Sequence, residues 1–285
     1  MLPQFRSGIR RDRYLNRVGR ATMRVDGDDD DAVNGRSTMA VVTVQFRSEA
    51  MGRQVTYNVI LPDATDGQYP VLLQLHGLGD DHQSWIQRSN LTRYVADLGL
   101  AVVLPDGASS GYLNWKAVGR IYRQRYEDLI MTDIPRHVKR HFNVTDGPWA
   151  IGGLSMGGYG AMRLGLKYPD RFASIWAHSS AFHIHDLVPA ELLDVGGVED
   201  ADVFGHADRL TSSGATPPVI SFDCGVDDEL IQHNRDLDQH LTRLGLDHHY
   251  AEHPGAHTWV YWDDHIKEAI AQHVRVLGVA SATSG

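Results

Sequence analysis

Cysteine is nearly absent: Cys224 is the one thiol in 285 residues. No internal disulfide can form, and a reducing compartment suits such a chain. Long hydrophobic runs are also missing. Nowhere do the ~18 consecutive apolar residues of a membrane span occur, which argues against a membrane partner. Basic charge is in the minority, with 27 Lys and Arg against 36 Asp and Glu and a formal net charge of −9. That balance repels phosphate backbones, so a nucleic-acid partner is disfavoured. The opening segment "MLPQFRSGIRRDRYLNRVGR" is basic but has no apolar stretch of the kind a secretory signal needs, and the expected location is cytoplasmic. An acidic run follows, "VDGDDDDAVNGRST", without the regular oxygen spacing and terminal Glu of a calcium loop. Residues 1–38 therefore read as a solvated, disordered leader.

What is present is ordinary globular material, 42% hydrophobic and 22% charged, enough for one large core. No linker interrupts it, and residues 39–285 are expected to form a single domain. "MAVVTVQFRS" and "QVTYNVILP" read as a pair of strands, while "YPVLLQLHG" and "LAVVLPDG" are continuous apolar runs that suit buried parallel strands. "SNLTRYVADL" has helical spacing stopped by Gly99, and "RYEDLIMTDIPRHVKRHF" reads as a long amphipathic helix kinked at Pro135. The strands "PWAIGG", "FASIWAHSS", "PPVISFDCG" and "DHHYAEHPG" then alternate with helices, the last helix beginning in "HTWVYW". Residues 183–216 lose periodicity and read as a small cap or insertion. Repeated strand–helix alternation predicts an α/β fold with a mainly parallel central sheet and helices on both faces.

One stretch, "IGGLSMGGYGAM" (151–162), carries the chemistry. With 28 glycines in the chain, the pattern G-x-S-x-G arises easily by chance. Its place between a strand and a helix makes it specific, because a sharp strand–turn–helix forces the serine into an unfavourable backbone conformation that only small neighbours permit. Ser155 is thereby presented at the carboxyl edge of the sheet, where open α/β sheets bind ligands. A serine hydroxyl is a weak nucleophile until a base takes its proton.

Sixteen histidines make residue type alone uninformative. In the α/β-hydrolase arrangement the partners follow in the order Ser, acid, His, with the His in a loop before the last helix. "HPGAHTW" meets that condition and nominates His257, with His253 as a weaker candidate. The acid follows "PPVISFDCG"; Asp228 is preferred to Asp227, and Asp223 is a third choice inside the strand. An oxyanion hole would use the amides of Met156 and of Leu78 in "LHGLGD", with Gly79 as the alternative. His76 reads as a structural histidine beneath that loop. Trp85, Trp115 and Trp259 are candidates for an acyl pocket, against ordinary aromatic packing in the core. No metal or organic cofactor is required. "HIHD" (183–186) raises the competing idea of a metal-dependent hydrolase, but no matching ligand-bearing strand ends accompany it. A non-catalytic binding protein on the same scaffold is the other rival.

With "LHGLGDDHQSW", "GLSMGGYGAM", "CGVDDEL" and "GAHTWVYW" in order, the chain resembles the esterase D-like family of α/β-hydrolases over residues 39–277. That family includes S-formylglutathione hydrolases, feruloyl and acetyl-xylan esterases, mycolyltransferases and small tributyrin or acetyl esterases, and the last are the most similar. The resemblance implies a nucleophile at Ser155, an acid at Asp228 and a base at His257. It implies a serine carboxylesterase acting on short-chain acyl esters through an acyl-enzyme, with a small-molecule ester as partner and a homo-oligomer left open. One departure is visible: "HGLGDD" stands where S-formylglutathione hydrolases carry Ser-Gly-Leu-Thr-Cys, which lowers the thiol-ester reading.

Overall fold

The computed structural model describes residues 39–62, 67–118, 122–184, 190–194 and 197–279. The leader expected over 1–38 and parts of the cap expected over 183–216 lie outside these described residues.

Two β-branched, alternating segments open the fold. β1 (Met39–Arg47) and β2 (Gln54–Pro62) pair antiparallel, from Met39 opposite Pro62 to Arg47 opposite Gln54. β3 (Val71–Leu75) and β4 (Ala101–Pro105) are buried along their whole length, as their unbroken apolar sequences require. Between them lie two short helices, α1 (Ser84–Arg88) and α2 (Leu91–Val95). A hairpin of β5 (Asn114–Val118) and β6 (Tyr122–Arg125) forms a separate two-stranded sheet. β7 (Trp149–Leu154), β8 (Phe172–His178), β9 (Val219–Gly225) and β10 (His249–His253) complete the main sheet.

Its eight strands run in the order β1-β2-β4-β3-β7-β8-β9-β10. Pairing is antiparallel as far as β4 and parallel from β4 to β10. The chain moves outward from β3 to β4 and then returns to the other side of β3 with β7. The carboxyl ends of β3 and β7 therefore flank the point where strand order reverses, the place where such sheets open a crevice for ligands.

Strand periodicity sorts the core into two layers. Leu73, Leu75 and Ile151 face one side, against α4 (Ile134–His141), α5 (Met156–Lys167) and α8 (Ile231–Leu244). Leu72, Val102 and Leu154 face the other, against α2 and the long α9 (Trp259–Leu277), which brings Trp262, Ile266 and Ile270. This is the two-faced α/β arrangement expected from the alternation of strands and helices.

Pro135 stands in the first turn of a helix rather than inside the single long helix expected. The segment runs as α3 (Tyr126–Asp128), a π-helical turn over Leu129–Asp133, and α4. A proline ring clashes with the carbonyl one turn earlier, and the wider π turn makes room for it. The region read as aperiodic contains α6 (Gly197–Ala201) and α7 (Val203–Ser213), the latter begun by the Asp202 side chain accepting the Phe204 N–H.

Candidate active site

The turn from β7 into α5 places Ser155 at φ 52° and ψ −117°, a strained backbone for a residue with a Cβ. Two glycines make it possible. A Cβ on Gly153 would stand 2.4 Å from the Gly157 carbonyl, and one on Gly157 would stand 2.5 Å from the His76 oxygen. Neighbouring backbone fixes the turn: the Ser155 N–H donates to the His178 carbonyl at 2.8 Å, and its own carbonyl accepts from Tyr159 at 3.0 Å.

Loops from the ends of β9 and β10 supply the partners. Ser155 Oγ lies 3.0 Å from His257 Nε2, and His257 Nδ1 lies 2.9 Å from Asp228 Oδ2 and 3.1 Å from Oδ1. An ionised carboxylate can only accept, so Nδ1 carries the hydrogen and Nε2 presents its lone pair to the Ser155 hydroxyl. Asp228 is shielded from solvent, and one of its oxygens also accepts the Leu230 N–H at 2.8 Å. Burial alone would raise its carboxyl, but the hydrogen bonds from His257 and the Leu230 backbone hold it below the ordinary carboxylate range. An oriented imidazole placed in this way is able to take the proton of a serine hydroxyl.

The other nominated acids and bases stand elsewhere. Asp227 is exposed, although it directly precedes Asp228. Asp223 is buried within β9 and accepts from Trp176 Nε1 at 2.6 Å and Tyr261 Oη at 2.8 Å, with His178 Nδ1 at 2.7 Å. The His253 ring stacks on His265 with centroids 4.1 Å apart. In the "HIHD" segment, His183 pairs with Asp236 at 3.0 Å, while 185–186 fall outside the described residues.

The loop after β3 comes against the serine, since a Cβ on Gly77 would lie 3.6 Å from Ser155 Cβ. His76 holds this loop from below. Its Nε2 accepts the Gly107 N–H at 2.8 Å, so Nδ1 carries the hydrogen and donates to the Gly77 carbonyl at 2.8 Å. Burial lowers its pKa and favours that neutral form. Met156 is the first residue of α5, so no carbonyl one turn earlier accepts its N–H.

A cleft of about 510 Å³ opens over Ser155 and His257, lined among others by Leu78, Met156, Trp259 and Trp262. Trp259 belongs to its wall, whereas Trp85 is buried behind it, edge-on at 5.2 Å and held by an Nε1–H bond to the Leu75 carbonyl. Trp115 donates instead to the Ser110 carbonyl. Trp262 was missed in the sequence, although it lies one helical turn from Trp259 and so shares its face of α9. Arg88 and Glu229 add charge at the rim, and the Arg88 guanidinium sits 5.9 Å over the Trp259 ring.

Among the described residues, no helix is long and apolar enough to cross a membrane. Residues 48–273 match the family described as "Putative esterase". An acetyl esterase from Caldicellulosiruptor saccharolyticus is 29% identical over 265 residues, which covers 81% of this chain and 97% of the relative. The substrate-bound fluorophosphonate-binding serine hydrolase F of Staphylococcus aureus superposes with a TM-score of 0.74 at 27% identity, covering 84% of this chain and 99% of that one. The S-formylglutathione hydrolase FrmB of Staphylococcus aureus gives 0.73 at 27% identity, covering 84% and 100%.

Proposed function

Because the chain belongs to the esterase family and is a carboxylic ester hydrolase of the α/β-hydrolase fold, we propose that it cleaves short-chain acyl esters through an acyl-enzyme on Ser155. The observation that supports this reading is the relay Asp228–His257–Ser155 opening onto the cleft. Ser155 Oγ attacks the ester carbonyl while His257 Nε2 takes its proton, and Asp228 stabilises the imidazolium that forms. The amides of Met156 and Leu78, with Gly79 as the alternative to Leu78, receive the oxyanion. As the carbon–oxygen bond to the alcohol breaks, His257 returns the proton to the leaving group. Water then adds to the acyl carbon, giving its proton to the same nitrogen. Collapse of that second intermediate frees the carboxylic acid and restores the serine hydroxyl. No redox change occurs and no cofactor takes part.

Hydrolysis of p-nitrophenyl acetate and butyrate by the wild type and by Ser155→Ala tests the mechanism. The variant is expected to fall to the buffer rate, and retained turnover overturns the reading. A chelator should leave the wild type unaffected. Buried Cys224, which has no partner thiol, suits the cytoplasm as the site of this reaction.

A second reading, S-formylglutathione hydrolysis, draws support from the likeness to FrmB. Comparing kcat/KM on S-formylglutathione, p-nitrophenyl acetate and methyl ferulate under one condition separates these readings from a feruloyl-type esterase.

A further inference from the structure

Asp223 takes no part in the relay, yet it is fully buried and charged groups rarely stay so without a task. Its two oxygens serve three side chains from two other elements. Oδ2 accepts from Trp176 Nε1 at 2.6 Å and from His178 Nδ1 at 2.7 Å, both on β8, and Oδ1 accepts from Tyr261 Oη at 2.8 Å on α9. The three donors compensate the burial and keep the carboxyl ionised.

Two of these contacts, His178 and Tyr261, lead to a carrier of the relay. The His178 carbonyl accepts the Ser155 N–H at 2.8 Å, so the residue whose ring Asp223 holds also holds the strained turn. The Asp223 carbonyl accepts the Ser179 N–H at 2.7 Å, which fixes the end of β8 against β9. On the other side, the Tyr261 ring lies against Gly255, where a Cβ would come within 2.6 Å of it and where φ is 144°. Gly255 belongs to the loop that delivers His257, and its carbonyl accepts the Asp227 N–H at 2.9 Å, joining that loop to the turn bearing Asp228. The anion thus sits where the supports of all three side chains converge.

We infer that Asp223 is a positioning residue: through His178 and Tyr261 its buried carboxylate locks the turn of Ser155 and the loop of His257 into one register. The inference rests on the relay proposed above. It assigns to Asp223 no contact with substrate and no proton transfer.

Asp223→Asn tests it with little change of volume. An asparagine can keep its oxygen toward Trp176 and His178 and turn its amide toward Tyr261, whose hydroxyl can accept as well as donate. The charge goes while the packing stays. In the folded variant, kcat per phosphonate-reactive site should fall about tenfold or more with KM within about twofold, because a neutral amide holds His178 and Tyr261 less firmly than a carboxylate, and groups free to drift lose transition-state geometry rather than ground-state binding. The rate of covalent labelling by a fluorophosphonate should fall by a similar factor. Tyr261→Phe keeps the ring on Gly255 but removes one donor, and should give a smaller loss of the same kind.

Wild-type kcat per labelled site in folded Asp223→Asn overturns the inference, as does a rise in KM alone. Should Asp223→Asn fail to fold, Tyr261→Phe decides: unchanged kcat and labelling rate reject the positioning role, and a kcat-only loss supports it. If the wild type itself is not labelled at Ser155, the relay has failed and the inference with it. Labelling of the wild type with no effect in either variant rejects the inference alone.

Discussion

Asp223 and Asp228 stand on one strand and the turn that follows it, yet their carboxylates hold different imidazoles, His178 at 2.7 Å and His257 at 2.9 Å. The turn between them reverses direction, and Asp227 is left facing solvent. Three acids that look interchangeable in "FDCGVDD" therefore have separate surroundings. Asp228→Asn should lower kcat by about 10³–10⁴, since the amide no longer fixes the tautomer that His257 needs. Asp227→Asn should stay within about twofold of the wild type, because its side chain supports nothing in the relay. Steady-state kinetics on p-nitrophenyl acetate compares them. A large loss in Asp227→Asn with little in Asp228→Asn would reassign the acid.

The glycines of the turn answer to backbone, not to flexible side chains. Gly153→Ala would press a methyl to 2.4 Å from the Gly157 carbonyl, and Gly157→Ala would press one against the His76 and Leu75 carbonyls at 2.5 and 2.6 Å. Main chain on both sides must move, so each substitution should cost roughly 2–4 kcal/mol and most of the activity. Gly147→Ala meets nothing within 4 Å and should cost under about 0.5 kcal/mol. Thermal or urea unfolding of the three variants measures the contrast, and equal stabilities would remove the steric explanation of the motif.

These cases mark what a sequence can convey. The buried run "VLLQL" and the glycine-framed Ser155 were legible because one physical demand dominates each: desolvation on both faces in the first, close backbone approach in the second. Chain order then narrowed sixteen histidines to the loop before α9. Side-chain direction was harder. Trp85 and Trp259 have the same chemistry, and tertiary contacts, the apolar cluster and the bond to the Leu75 carbonyl, hold Trp85 inward while Trp259 lines the cleft. Helix α7 escaped notice because "VFGHADRLTSS" carries an interior glycine and weak helix formers. It is held by the Asp202 cap and by burial of Ala207 and Leu210, which are tertiary facts. The β5–β6 hairpin is short and charged, forms a sheet of two, and has a single β-bridge to the rest of the fold among the described residues, from Trp115 to Leu193.

Acid should destabilise the protein in two stages. Burial holds His206 and His273 uncharged, with pKa lowered from the ordinary 6.5 to about 4 and about 3. Unfolded, each takes a proton near pH 6.5; folded, each resists until far lower pH. Stability is therefore full above about pH 6.5 and falls as pH drops, by at most about 1.4 kcal/mol per unit for each group. Glu127 acts later. Burial would raise its carboxyl, but Arg163 at 2.6 Å, Lys167 at 2.7 Å and Tyr168 hold it to about 2, down from 4.5. Its contribution is present above about pH 4.5 and is lost as pH falls toward 2. Melting temperatures across this range should show a shallower decline for His273→Gln between pH 6.5 and 4, and for Glu127→Gln below 4.5. Slopes identical to the wild type would contradict the assignment.

Trp259 lines the cleft and is separated from the His257 ring by Trp262. Its ring is set edge-on to Trp85 at 5.2 Å and to Trp262 at 5.4 Å, with Arg88 above it, while Trp262 rather than Trp259 is the indole packed edge-on to His257, at 4.9 Å. Removing the Trp259 ring therefore takes away wall without touching the imidazole. An acetyl group is too small to use much of that wall, whereas a butyryl or aromatic acyl group buries surface against it. Trp259→Ala should raise KM for p-nitrophenyl butyrate about fivefold, on the order of 1 kcal/mol of lost apolar contact, with kcat nearly constant and acetate hydrolysis little changed. Trp262→Ala should behave in the opposite way, lowering kcat on every ester because it frees the His257 ring to tilt. The acyl-chain series on both variants reads the difference directly. A uniform fall in kcat for Trp259→Ala would mean that this indole braces the base, and that the acyl group lies along another wall of the cleft.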